Sequence, residues 1–411
     1  MEIVDKAEDV GLSADRLGRL RPFFASRYVD QQKLPGVITL VSRRGQAVHL
    51  ECSGWADVEN RRPMAEDTIL RIYSMTKPVC SVALMTFYDE GAFQLDDPVS
   101  RFIPGFANLR VWDDGTPLQY RTKFPEREMT IADLLTHTSG LTYGFMARHP
   151  VDALYRRRKL DSPMPGSSMT LADLVDALSE LPLLFSPGTQ WSYSLATDVV
   201  GRLVEVLSGQ PLDALLQERI FGPLRMVDTG FWVPADQAER LAACYFAAGP
   251  DQPMVVFDRP DSSTYLSAPS LLSGGGGLVS TVGDYHRFTQ MLLGGGELDG
   301  ARVLGRKTIQ FMTSNHLPSG DDLTSMGQPV FSETSYDGIG FGLGFSVMLD
   351  PARAHVVGSK GEFAWGGAAS TMFWVDPAEE LTGMVLTQLM PSSTYPIRRE
   401  MKALTYGALI D

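Results

Sequence analysis

Ser74-Met75-Thr76-Lys77, followed by Pro78 and a largely apolar run to Glu90 and Gly91, sets a serine three residues before a lysine at the head of a helix-like segment. Residues three apart share one face of a helix, so the Lys77 amine is expected beside the Ser74 hydroxyl. Pro78 is compatible with this, because first-turn N–H groups have no intrahelical partner. A serine is a poor nucleophile until a base takes its proton, and a lysine serves as that base only if burial lowers its pKa. Both residue types are common, and a chain of this length holds roughly one such pair by chance. The meaning of the pair therefore rests on what surrounds it.

The chain has 411 residues, 44% apolar and 21% charged, enough for one large domain with an insertion or for two domains sharing a cleft. Its net charge of −13 argues against a nucleic-acid partner, which needs a basic surface. The one basic cluster, Tyr155-Arg156-Arg157-Arg158-Lys159, reads as a solvated loop rather than an anion site. Cys52, Cys80 and Cys244 are odd in number and widely spaced, so neither a disulfide framework nor a metal-ligand pattern is expected. The N-terminal segment, residues 1–6, has no signal-like apolar core, and no stretch reaches the roughly 20 apolar residues of a membrane span. A cytoplasmic setting without membrane contact is the simplest expectation, although a trimmed export signal would leave the same trace.

Around the serine, residues 13–31 predict a helix with Ser13 as its N-cap, and 37–41 and 47–50 predict a hairpin about Arg43-Arg44-Gly45. Between 95 and 265 alternation is scarce and helices are expected at 130–136, 170–181, 196–208 and 211–219. A helix at 281–293 then precedes expected strands at 342–349, 355–357, 370–375 and 381–388, and a last helix at 397–409. Early strands, a helical middle and late strands predict an α+β fold. One antiparallel sheet is built from 1–94 and 266–411, with a mostly helical body, 95–265, folded beside it.

Two later segments offer the partners that an activated serine needs, a proton donor and N–H groups for an oxyanion. Tyr193 lies in Gly188-Thr189-Gln190-Trp191-Ser192-Tyr193-Ser194-Leu195, at a loop-to-helix junction from which a phenol can enter a cleft. A half-buried tyrosine bonded to a backbone acceptor would look the same. Trp365-Gly366-Gly367-Ala368 precedes a strand, and its glycines let the backbone approach a ligand or form an ordinary bulge.

In this order the segments resemble the serine β-lactamase and penicillin-binding protein superfamily, whose signature pairs SxxK with a later serine or tyrosine motif and a K-T-G strand. The likeness is greatest to class C β-lactamases and especially to family VIII carboxylesterases. Leu134-Leu135-Thr136-His137-Thr138-Ser139-Gly140-Leu141, Phe185-Ser186-Pro187-Gly188, Gly275-Gly276-Gly277-Leu278 and Gly340-Phe341-Gly342-Leu343 look like landmarks of that group. The resemblance covers residues 15–405 and implies a β-lactamase-like fold with the active site in the cleft between sheet and helical body. It also implies acyl-enzyme chemistry on Ser74, with Lys77 and Tyr193 sharing the roles of base and acid in an order left open. The Ser74 and Ala368 N–H groups are implied as the oxyanion hole.

Departures from the lactamase pattern carry the substrate reading. Leu195 stands where lactamases place an asparagine. Trp365, Gly366 and Gly367 replace Lys-Thr-Gly, removing a charge-assisted contact to an anionic substrate worth about 1.5–3 kcal/mol. These four residues are expected to line the substrate site and to favour small to medium neutral esters, the pattern of family VIII esterases. The alternatives are a β-lactamase or D-Ala-D-Ala peptidase, an acyltransferase using the same intermediate, and a non-catalytic sensor, the last disfavoured because Ser74, Lys77 and Tyr193 are all present. No G-x-S-x-G elbow occurs, and His137, inside a family landmark, reads as structural, so neither it nor His286 is taken as the base of a Ser-His dyad. No metal or cofactor is expected, the partner being a small-molecule ester. Oligomeric state is not legible.

Overall fold

The computed structural model describes residues 3–4, 6–160, 168–327 and 336–411. Residues 1, 2 and 5 of the N-terminal segment, 161–167 and 328–335 lie outside the described residues. The backbone of the fold is one antiparallel sheet assembled from both ends of the chain. Its strands are β1 (Gly36–Arg43), β2 (Gln46–Asp57), β3 (Arg62–Pro63), β4 (Ile339–Phe341), β5 (Ser346–Met348), β6 (Phe363–Gly366), β7 (Met372–Asp376) and β8 (Leu381–Leu386). They run side by side in the order β4-β5-β6-β7-β8-β1-β2-β3. β1 is the seam between the two ends, with Leu40 opposite Met384 of β8 on one side and Leu50 of β2 on the other.

Every residue of β1 is buried because both faces of the sheet are covered. Ile38 and Leu40 join Phe373, Val375 and Met384 in the main core, together with residues of α1 (Thr76–Asp89), α2 (Ala196–Ser208) and α3 (Val282–Leu293). Val37 and Val41 alternate to the opposite face, where they meet Leu17, Leu20, Phe24, Ile397 and Met401. The last two belong to α4 (Ile397–Tyr406). Ser13 does cap the first helical segment, accepting from the Arg16 N–H, and Thr130, Thr170 and Thr281 cap the helices expected after them.

The structure departs from the sequence reading in several places. The middle block contains a β-hairpin, Val111–Thr116 with Gln119–Lys123, whose mostly exposed residues give no apolar alternation to read. It also contains Cys244–Phe246 and Val255–Asp258, a small sheet completed by Leu389–Met390 from the far end of the chain. The expected strand 342–349 is split, because Gly342–Gly344 turns against α1 and a Cβ on Gly344 would lie 2.4 Å from Ser81 Oγ. Residues 355–357 form no strand: Asp350 caps a helical turn over Pro351–Ala354, and His355 ends it with φ 52°. The basic cluster at 155–159 is the end of a helix, Pro150–Arg157, with Tyr155 fully buried and Arg158 paired with Glu180. Among the described residues no helix is long and apolar enough to cross a membrane.

Two buried histidines set an acid limit on this fold. His49 of β2, bonded through Nε2 to Thr39 Oγ1 at 2.8 Å, and His286 of α3 are both held neutral, burial pushing each imidazole down to about 4. The unfolded chain binds these protons near the ordinary value of about 6.5, so it takes up more protons than the folded chain between about pH 6.5 and 4. Stability is therefore expected to fall as pH drops through that window, by on the order of 3 kcal/mol per histidine. Thermal melts from about pH 7 to 4 check this, and His49→Gln should flatten the slope.

Candidate active site

Ser74 sits in a 3-10 turn, Tyr73–Met75, that runs directly into α1. Tyr73 carries φ 43°, costly for an aromatic residue, and the strain falls immediately beside the serine. Lys77, one turn on, is 2% exposed, and its Nζ donates to Ser74 Oγ at 3.3 Å. Two further acceptors hold the amine, the Gly275 carbonyl at 2.6 Å and the Tyr143 hydroxyl at 3.0 Å. The nitrogen thus lies within hydrogen-bond distance of three oxygens.

Tyr193 comes from the loop before α2 and places its hydroxyl 2.6 Å from Ser74 Oγ. The tyrosine is therefore bonded to the serine rather than to a backbone acceptor. Its ring lies 4.5 Å from Lys77 Nζ, centroid to nitrogen, a cation–π contact that ties the amine to the phenol as well as to the serine. The structure brings the three side chains together.

The surroundings are aromatic. Tyr193 packs on Trp365 at 5.6 Å, on Tyr143 at 5.4 Å and on the His137 ring at 5.0 Å, and Trp365 meets Phe341 edge to face at 5.2 Å. Burial and the nearby Lys77 charge keep His137 well below its ordinary pKa, so it is a neutral ring braced by Ser194 Oγ at 3.1 Å. His286 sits on α3, on a different element from the trio. Beside Tyr193 opens a cavity of about 240 Å³, lined by Met146, Leu184 and Phe185 and also by Arg148, His149 and Asp152.

Three contributors escaped the sequence reading. Tyr143, just beyond the 134–141 landmark, holds Lys77, and burial, with Tyr193 and Asp198 nearby, raises its phenol well above the ordinary value. Asp198 of α2 is fully buried, and burial pushes its carboxyl up. It accepts from Ser273 Oγ at 2.6 Å and from the Gly275 N–H at 3.2 Å, pinning the residue whose carbonyl holds Lys77. Their only sequence signals were a tyrosine and an aspartate near landmarks. Arg398 of α4 is the third, and it left no signal near the Trp365 segment at all.

Trp365 lies in β6, between β5 and β7, one residue before its end, but β5 pairs only as far as Ala364, so the strand has a free edge from Trp365 onward. A Cβ on Gly367 would lie 2.4 Å from the Ile72 carbonyl oxygen, which makes glycine obligatory where this strand abuts the turn bearing Ser74. Ala368 is exposed, and neither its N–H nor that of Ser74 donates to another backbone group among the described residues. Leu195 is placed differently from the expectation: it is fully buried in the main core at the start of α2, not on the cleft wall, because its junction folds inward and its N–H bonds to the Thr142 carbonyl. Trp365-Gly366-Gly367 itself carries no cation, but one from another segment reaches it. The Arg398 guanidinium would be 2.8 Å from a Cβ on Gly366, and its Nη2 bonds to the Gly367 and Thr371 carbonyls.

Comparison with known proteins finds relatives along most of the chain. Protein Rv1367c of Mycobacterium tuberculosis is 38% identical over 366 residues, 88% of each chain. Esterase EstB of Burkholderia gladioli is 31% identical over 371 residues, 87% of this chain and 86% of that one. The solved structure of EstCE1, described as a hydrolase with promiscuous acyltransferase activity, superposes with a TM-score of 0.80 at 26% identity, covering 96% of this chain and 99% of the other. The Beta-lactamase family model matches residues 24–406, and on that match, spanning nearly the whole chain, the protein belongs to the β-lactamase family.

Proposed function

We propose that the protein is a serine carboxylesterase that cleaves small to medium neutral esters through an acyl-enzyme on Ser74. The observation that carries this is the hydrogen-bonded trio of Ser74, Lys77 and Tyr193, with Oγ 2.6 Å from the phenol and 3.3 Å from the amine. Likeness to Esterase EstB and to EstCE1 supports ester hydrolysis as the reaction. Ser74 Oγ attacks the ester carbonyl and gives up its proton to the Tyr193–Lys77 pair. The developing oxyanion is received by the Ser74 and Ala368 N–H groups and by the positive end of α1. Collapse of the tetrahedral intermediate breaks the bond to the alkoxide, which takes that proton and leaves as the alcohol. Water, deprotonated by the same pair, then attacks the acyl carbon; the second intermediate collapses with cleavage of the bond to Ser74 Oγ, which takes that proton back as the acid is released.

The site would lie in the cleft between the sheet body, 1–94 and 266–411, which supplies Ser74, Lys77 and Trp365, and the mostly helical body, 95–265, which supplies Tyr143 and Tyr193. Trp365, Gly366 and Gly367 would form one wall, and the 240 Å³ cavity beside Tyr193, at the small end for ligand pockets, suits a short chain. Acyl transfer is the second reading, favoured by the likeness to EstCE1, a hydrolase with promiscuous acyltransferase activity: an alcohol that reaches the acyl-enzyme ahead of water would take the acyl group.

The test is wild-type turnover of short p-nitrophenyl esters and of a chromogenic cephalosporin, with intact mass spectrometry after acid quench. Ester turnover with a transient acyl mass on the Ser74 peptide, and slow cephalosporin hydrolysis, is expected. Rapid cephalosporin hydrolysis with negligible esterase activity would reverse the reading.

A further inference from the structure

The loop that carries Ala368 is held from behind by one cation. Arg398 of α4 donates from Nη2 to the Gly367 carbonyl at 2.9 Å and to the Thr371 carbonyl at 3.0 Å. The Gly367 N–H itself donates to that Thr371 carbonyl at 2.9 Å, so the two ends of the turn meet at the guanidinium. The carbonyl of Gly367 and the N–H of Ala368 belong to one planar amide and point in opposite directions when it is trans. A donor fixed on the oxygen therefore fixes where the N–H points. Ser370, inside the same turn, carries φ 63°, a conformation that needs such outside support.

The two glycines of the segment have separate steric reasons. A Cβ on Gly366 would lie 2.8 Å from Arg398 Cζ and Nη2, whereas one on Gly367 would strike Ile72 just before the nucleophile turn. Gly366 thus admits the guanidinium on one side, and Gly367 admits the serine-bearing chain on the other.

We propose that Arg398 is a positioning residue for the oxyanion hole, clamping the Gly367–Ala368 peptide so that the Ala368 N–H faces the developing oxyanion. This rests on Ala368 serving as an oxyanion donor. The clamp acts in two ways. It removes the rotational freedom of the peptide, and a cation on the carbonyl draws electron density from the amide, making its N–H a stronger donor. Both effects grow as negative charge appears on the substrate oxygen, so they belong to the transition state rather than to substrate binding.

Arg398→Ala is expected to lower kcat for p-nitrophenyl butyrate about 10- to 100-fold, somewhat less than outright loss of an oxyanion donor, with KM within about twofold. Inhibition by phenylboronic acid, whose serine adduct places an oxygen in the same hole, should weaken by the same factor, while inhibition by the product butyrate stays unchanged. Arg398→Lys, which keeps the charge but loses the planar fork, should fall between. A folded Arg398→Ala protein with wild-type kcat and boronic acid affinity overturns the proposal, as does a kcat loss without a matching loss of boronic acid affinity. If Arg398→Ala does not fold by near-ultraviolet circular dichroism, Arg398→Lys decides by the same two readouts. Ser74→Ala separates the claims: if it abolishes turnover while the Arg398 variants change nothing, only the clamp falls, and if it leaves turnover intact, both fall.

Discussion

Ser74→Ala is expected to lower kcat/KM for p-nitrophenyl butyrate by at least about 10⁴-fold while leaving the protein folded. The hydroxyl is the atom on which the surrounding polar groups converge, with Tyr193 at 2.6 Å and Lys77 at 3.3 Å. Without it there is no acyl-enzyme, and what remains is whatever the N–H groups and the aromatic walls do for water attack. Stability should change little. Lys77 keeps the Gly275 carbonyl and the Tyr143 hydroxyl, and the Tyr193 ring keeps its contacts with Trp365 and His137. Residues that act as a unit are not additive, so Lys77→Ala placed on top of Ser74→Ala should cost almost nothing further. Purified variants assayed at matched concentration, with melting temperatures alongside, check both statements. Turnover by Ser74→Ala near the wild-type level would sink the assignment.

Tyr193→Phe is expected to cost about 10²- to 10⁴-fold in kcat, the range for loss of a positioned proton-transfer group. The substitution removes one oxygen and no packing: the ring remains among His137, Tyr143 and Trp365, and Lys77 Nζ still lies over it. A folding defect is therefore no explanation for the loss. Tyr143→Phe is the matched control, since its hydroxyl reaches Lys77 but is not bonded to Ser74. It should lose roughly a tenth as much, because Lys77 keeps two of its three acceptors. Equal losses in the two variants would mean that the Tyr193 hydroxyl only helps to position Ser74, as the Tyr143 hydroxyl helps to position Lys77, and moves no proton. The pH profile of kcat/KM distinguishes the cases further, because removing the group that exchanges the proton changes the limbs of the curve, whereas loosening the lysine lowers the whole curve.

Much of the architecture was legible because it obeys local rules. Ser13, Thr130, Thr170 and Thr281 each stand at a helix start, and the helices begin where the sequence placed them. The hairpin of β1 and β2 followed from two β-prone runs around Arg43-Arg44-Gly45, although β2 extends to Asp57, well beyond the short run that reads as strand. The hairpin at 111–123 was not legible because pairing, not apolar alternation, defines it: after Val111 and Trp112 its residues are largely exposed. The sheet that joins Cys244–Phe246 to Leu389–Met390 links residues far apart along the chain, a pairing no window of sequence contains.

The sequence itself set Ser74 and Lys77 one helical turn apart, and the resemblance of its ordered segments to a known superfamily singled out Tyr193 as their partner. Tertiary structure alone decided the rest. Leu195, a wall residue by position, turned into the core because its junction packs against Thr142. Asp198 and Tyr143 came to bear on Lys77 only through the packing of α2 and the 141–144 turn on α1. The segment that reads as cation-free, Trp365-Gly366-Gly367, received a guanidinium from a helix 31 residues downstream. Local spacing specifies which side chains share a helix face. Which carbonyl a distant arginine grips depends on how a helix docks against a sheet edge, and that is set by the summed burial of both.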